Sequence, residues 1–227
     1  MEWIYNYQLF LFDFDGLLVN TEELHYKAYQ KMCQGRGFKL DWDWSTYCKA
    51  AMFSSTGIRE AIYAEFPDLH RYEPCWDILY VEKKRAYYKL LQAGEVKLMP
   101  GAEKLLKALE KAKINRCVVT HSPIEQIELI RGKQPVLNTI PHWITRGDYS
   151  TPKPSPECYK MAIEKFGVKK EQVIGFEDTP RGLKALLGSQ AKGVLVSNVF
   201  KKKELEKLLD KTFAHCSSLE ELSDNLL

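Results

Sequence analysis

Asp13 and Asp15 stand two residues apart at the end of an apolar run, Leu9-Phe10-Leu11-Phe12, and Gly16 follows them. If the run is a buried strand, its period of two turns both carboxylates to one side. Like charges so placed repel and lose water, at a cost that a cation between them relieves. Other polar residues close other apolar runs: Thr120-His121-Ser122 after Cys117-Val118-Val119, and Glu177-Asp178 after Val173-Ile174-Gly175-Phe176. Lys153 sits between Pro152 and Pro154. Together these residues supply oxygen ligands for a hard cation, and a hydroxyl and an ammonium for phosphate. Mg2+ keeps several waters and takes one or two carboxylates plus substrate phosphate. Asp13 and Asp178 are the expected side-chain ligands, with the Asp15 backbone carbonyl as another. Glu177 is either a ligand or the partner of one. Thr120 and Lys153 face phosphate oxygens, and turn N–H groups after Asp13 and Thr120 could line an anion nest. An Asp-x-Asp-Gly string also opens calcium loops, but Leu17-Leu18-Val19 come next and bring no oxygen ligands, which excludes an EF-hand.

The elements that must position these residues alternate. Apolar runs at Gln8–Phe12, Arg116–Thr120, His142–Thr145, Gln172–Phe176, Gly193–Val196 and Thr212–His215 read as strands. Helical patterns lie between them at Ala102–Lys113, Ile124–Arg131, Glu157–Phe166, Pro180–Ser189 and Lys202–Lys211. The alternation predicts an α/β fold with a parallel sheet covered by helices on both faces. Ligands then sit beyond the carboxyl ends of the strands, where the polar residues fall. Residues 21–96 interrupt the alternation with helical patterns only, Thr21 serving as a plausible N-cap before Glu22-Glu23 and Ile78–Gln92 forming a further helix. The expected organisation is a core of residues 1–20 and 97–227 with a helical insertion at 21–96. The aromatic stretch Asp41–Tyr47 is either a substrate contact or the insertion's own core.

Composition narrows the partners. The chain has 227 residues, 33 Lys and Arg against 30 Asp and Glu, and a net charge of +3. That balance does not supply the concentrated basic face of a nucleic-acid binder. The run Lys201-Lys202-Lys203 is followed by Glu204, Glu206 and Lys207 and reads as a solvated helix face. Six scattered cysteines show neither a C-x-x-C pair nor zinc spacing, and no stretch reads as a signal peptide or membrane span. A cytoplasmic enzyme with no nucleic-acid, membrane or obligate protein partner is expected.

The motifs Asp13-Phe14-Asp15-Gly16, Thr120, Lys153 and Gly175-Phe176-Glu177-Asp178, with Thr21-Glu22 after the first, resemble those of the haloacid dehalogenase superfamily, in its helical-cap branch. The resemblance spans essentially the whole chain. It implies a Rossmann-like core, a mobile cap, Mg2+ and an aspartyl-phosphate intermediate. By the same resemblance Asp13 is the nucleophile, Asp15 the general acid and base, and Lys153 and Thr120 stabilise the transferring phosphoryl group. The second aspartate points to phosphate esters, since expelling halide needs no proton and an alkoxide does. His121, where small or amide residues are commoner, is a candidate phosphate contact. His25, Arg59 and Lys83 resemble cap residues of β-phosphoglucomutase. The expected activity is a Mg2+-dependent phosphatase of a sugar, polyol or nucleoside phosphate. Phosphoryl transfer of the β-phosphoglucomutase kind is the alternative, and a non-catalytic phosphate-binding module a remote one.

Overall fold

The computed structural model describes every residue except 55, 95 and 201, and every side chain except those of residues 202–204 besides. The solvated face expected at Lys201–Lys203 lies outside the described residues. The chain divides into two compact units, Met1–Asn20 with Val96–Leu227, and Thr21–Glu95. In chain order, β1 (Leu9–Phe12) comes first, followed in the second unit by α1 (Glu22–Gly35), α2 (Trp44–Met52), α3 (Gly57–Glu65), α4 (Pro67–Tyr72) and α5 (Trp76–Ala93). The first unit resumes with α6 (Ala102–Lys111), β2 (Asn115–Val119), α7 (Ile124–Lys133), β3 (His142–Ile144), α8 (Glu157–Phe166) and β4 (Val173–Glu177). It closes with α9 (Pro180–Gly188), β5 (Lys192–Val196), α10 (Lys202–Leu209) and β6 (Ala214–Cys216). Among the described residues, no helix is long and apolar enough to cross a membrane.

The strands form one parallel sheet in the order β3-β2-β1-β4-β5-β6, a Rossmann-like α/β fold. β1 is central, with Phe12 beside Val118 of β2 and Phe176 of β4. Every residue of β1 is buried, as a strand covered on both faces requires. On one face Phe12 stacks on Phe176 at 5.3 Å, and Phe10 lies 5.6 Å from Trp3. α6 shows how the helices are recruited: Ala102, Leu105, Leu106 and Leu109 form the i, i+3, i+4, i+7 stripe that is buried. Each buried leucine contributes about 1.5–3 kcal/mol, while Glu103 and Lys107 pair on the outer face at 2.6 Å. α8 stops at Gly167, which takes φ 61°.

In the second unit α1 packs along α5. Arg36 ties α1 to α5 by a two-pronged bond to Glu82, at 2.6 and 3.1 Å. The aromatic stretch Asp41–Tyr47 is divided: Tyr47 serves packing and Trp44 is exposed. Asp43 caps α2 by accepting from the Thr46 N–H at 2.7 Å, Tyr47 is buried and stacks on Tyr26 at 4.7 Å, and the Tyr26 hydroxyl donates to the Trp42 carbonyl. Thr21 differs from expectation. It precedes α1 in a helical conformation, φ −105° and ψ −16°, and its side chain makes no cap bond. A capping oxygen reaches the second or third N–H only from an extended backbone.

Candidate active site

β1 delivers Asp13 one residue beyond its end, and the Asp13 N–H continues the ladder by donating to the Phe176 carbonyl at 3.0 Å. β4, the neighbouring strand, ends at Glu177, with Asp178 next. Asp13, Glu177 and Asp178 are all buried, and one carboxylate oxygen from each lies within 4.8 Å of the others. Lys153 enters this cluster from the loop before α8. Its Nζ donates to Asp13 Oδ1 at 2.5 Å, Glu177 Oε1 at 2.6 Å and the Val119 carbonyl at 2.9 Å. These three acceptors match the three protons of an ammonium, and a fourth oxygen, the Tyr159 hydroxyl, lies a little farther off at 3.2 Å. Tyr159, one turn into α8, lays its ring 4.9 Å from the same nitrogen and donates its hydroxyl to Glu177 Oε1.

Burial alone would pull the Lys153 ammonium down, but Asp13 and Glu177 outweigh it and hold its pKa above the ordinary lysine value. Lys153 therefore keeps its charge at neutral pH. Burial pushes the Glu177 carboxyl up against the pull of Lys153, and burial with the Glu177 charge raises the Tyr159 hydroxyl. Glu177 is also pressed by α9. Thr179 caps that helix by accepting from the Gly182 N–H at 3.1 Å, and a methyl group on Gly182 would fall inside the Glu177 carboxylate.

Asp15 lies across a tight turn in which Gly16 takes φ 80° and donates to the Val19 carbonyl at 2.8 Å. A left-handed conformation there is open to glycine at no steric cost. Asp15 Oδ2 accepts from the Ser122 hydroxyl at 2.6 Å and more distantly from the Thr120 hydroxyl at 3.4 Å. The two aspartates thus meet different surroundings: an ammonium for Asp13, hydroxyls for Asp15.

His121 does not meet the expectation of a phosphate contact. Its Nε2 accepts from the Lys153 N–H at 3.0 Å, and its Nδ1 lies 3.3 Å from the Tyr149 hydroxyl, which donates to the Thr120 carbonyl at 3.0 Å. Both ring nitrogens are committed to protein groups. The accepting Nε2 places the proton on Nδ1, so the ring is neutral. Burial, then Lys153, Arg181 and Arg146, bring its pKa to about 3. His121 is a strut joining the Thr120 loop to the Lys153 loop.

The cluster fits a hard divalent cation. Its donors are carboxylate oxygens, with neither sulfur nor imidazole among them, the set that suits Mg2+. Glu177 already holds Lys153 and Tyr159 on Oε1.

The residues expected from the insertion are not all gathered. In the helical unit, Lys83 Nζ lies 2.6 Å from His25 Nδ1, and the His25 ring stacks on Tyr87 at 4.0 Å. Burial first, then Lys83, holds the His25 pKa well down. Lys83 is buried over the Tyr29 and Tyr87 rings. Arg59 is on the exposed side of α3, 3.8 Å from Glu60, and Thr21 sits buried just before α1.

Ser122, Tyr149, Tyr159 and Gly182 escaped the sequence reading. Ser122 was visible beside Thr120, yet a strand-end serine carries no pattern of its own. Tyr159 falls on the buried stripe of α8 and reads there as core.

A sequence model of the family described as haloacid dehalogenase-like hydrolase matches residues 10–199. The chain is 31% identical over 193 residues to (DL)-glycerol-3-phosphatase 2 of Arabidopsis thaliana, covering 82% of this chain and 78% of that one. It is 29% identical over 224 residues to the protein CbbY of Cereibacter sphaeroides, covering 92% and 94%. Its fold is similar to the crystal structure of CbbY from Rhodobacter sphaeroides in complex with phosphate, with a TM-score of 0.74 at 22% identity over 96% of each chain.

Proposed function

The chain belongs to the haloacid dehalogenase-like hydrolases, and from that premise we propose that it hydrolyses a small phosphate monoester through a phosphorylated Asp13. One observation carries the reading: two carboxylates at one strand end are held in unlike surroundings, Asp13 by the Lys153 ammonium and Asp15 by the Ser122 hydroxyl. Unlike environments are what give paired carboxylates separate roles. An Asp13 oxygen bonds to phosphorus as the ester P–O bond breaks, and Asp15 passes a proton to the departing alkoxide. Water then bonds to phosphorus, the Asp13–phosphorus bond breaks, and the water's proton goes to Asp15. Lys153 stays charged beside Asp13, where negative charge gathers on the phosphoryl oxygens, and Thr120 offers them a hydroxyl. Bound Mg2+, held by Asp13, Asp178 and the Asp15 carbonyl with Glu177 as ligand or partner, would neutralise part of that charge.

The named activity of the 31%-identical glycerol-3-phosphatase supports a polyol, sugar or nucleoside phosphate as substrate. The partly buried Lys83–His25 pair favours a second reading, transfer to a bound sugar phosphate as in β-phosphoglucomutase. Incubation with Mg2+ and a panel of phosphorylated sugars, polyols and nucleosides separates the two. Stoichiometric free phosphate is expected. Conversion of β-glucose 1-phosphate to glucose 6-phosphate without phosphate release would establish transfer instead. Asp13→Asn should lower turnover by roughly a thousandfold or more, and a variant as fast as wild type would remove Asp13 as nucleophile.

A further inference from the structure

The Ser122 hydroxyl makes or breaks no bond in the chemistry described so far, yet it lies closer to the Asp15 carboxyl than the Thr120 hydroxyl does, 2.6 Å against 3.4 Å. That length is a close O–H···O hydrogen bond. Asp15 is partly buried, on the turn that follows β1. Ser122 is itself firmly placed. Its side chain is buried, its N–H donates to Thr120 Oγ1 at 2.9 Å, and its carbonyl accepts from the Arg146 N–H at 3.2 Å. The two residues follow neighbouring strands, β1 and β2, so the sheet itself sets their spacing.

We propose that Ser122 is a positioning residue for proton transfer: its hydroxyl fixes the rotation of the Asp15 carboxyl so that the acid is aimed at the departing ester oxygen. The inference rests on Asp15 being the acid and base. Ser122 keeps its own proton throughout. The proton given to the alkoxide comes from the Asp15 carboxyl, and in the second half that carboxyl takes a proton back from water.

The test compares leaving groups. An alkyl phosphate, taken as the fastest in the panel, needs a proton on its departing oxygen, whereas p-nitrophenyl phosphate leaves as a stable anion. kcat/KM reports the steps up to that departure, before the water attack common to both esters. Losing a hydrogen bond to a charged group costs roughly 10- to 100-fold, so Ser122→Ala should lower kcat/KM by about tenfold or more on the alkyl ester. On the aryl ester the change should stay within about threefold, and Ser122→Thr, which restores a hydroxyl, should recover the alkyl ester. Equal losses on both esters would overturn the proposal and make Ser122 a phosphate contact or a folding residue. Ser122→Cys carries the same comparison should the alanine variant fold poorly. Asp15→Asn separates this from failure of the underlying reading. If it leaves alkyl-ester turnover intact, Asp15 is not the acid and the inference falls with it. If alkyl turnover is lost while Ser122→Ala affects both esters alike, only the role of Ser122 is refuted.

Discussion

Lys153 and His121 show how much work single side chains do inside unit one of this chain. Lys153 satisfies each ammonium proton within the protein, and His121 fixes the backbone that carries it. That strut requires a neutral imidazole, which gives it a pH signature. A histidine whose folded pKa lies below its unfolded value binds protons more tightly in the unfolded chain, so stability is present above the unfolded pKa and is lost as pH falls. For His121 the window runs from 6.5 down to about 3. Going from neutral pH to about pH 5 should cost about 2 kcal/mol at this residue, and His25 acts in the same direction. Urea unfolding at both pH values should show a smaller drop for His121→Asn than for wild type. An identical drop would mean that the imidazole can be protonated in place.

At the scale of elements, the site depends on α9 starting against the end of β4. Pro180 occupies the first turn, Thr179 caps it, and Gly182 leaves room for the Glu177 carboxylate. In an exposed helix, alanine is favoured over glycine by about 1 kcal/mol. Here Gly182→Ala is expected to do the reverse, destabilising the protein by roughly 1–3 kcal/mol through overpacking. By displacing Glu177 it should also loosen Lys153 and lower phosphatase activity by about tenfold or more. Thermal melts and steady-state rates check both. A variant that melts higher than wild type with full activity would show that Glu177 has space to spare.

Across the whole molecule, the order β3-β2-β1-β4-β5-β6 explains why the site lies where it does. Connections leave β1 toward β2 and β4 toward β5, in opposite directions across the sheet. The crevice between β1 and β4 is therefore the topological switch point, where ligands of such sheets collect. Asp13 and Asp15 follow one of those strands, and Glu177 and Asp178 close the other. A cation bound there would be linked to folding of the sheet unit. At a hundredfold excess over its Kd, Mg2+ should stabilise by about 2.7 kcal/mol, a rise in Tm of roughly 5–10 °C. Calorimetry with and without chelator measures it, and Asp178→Asn should abolish the rise. A full shift in that variant would place the cation elsewhere.

Much of this was legible along the chain because it is local. Apolar runs of four or five residues ending in acids marked β1 and β4, and the α6 and α8 stripes gave their helices nearly to the residue. In the insertion, α2, α3 and α4 are short and rest on one another rather than on a strong period, so their limits did not show. What the residues alone determined was the parallel α/β class; they nominated Asp13, Asp15, Thr120, Lys153, Glu177 and Asp178 as one set because four elements, each weak by itself, fall in order at strand ends and loops. Tertiary structure alone decided the partners. It turned His121 inward, brought Ser122 to Asp15, and set Tyr159 and Gly182 around Glu177. The hydrogen bonds among them join residues 18 to 107 positions apart, and no local periodicity encodes which hydroxyl or ring nitrogen a folded sheet will bring beside a given carboxylate.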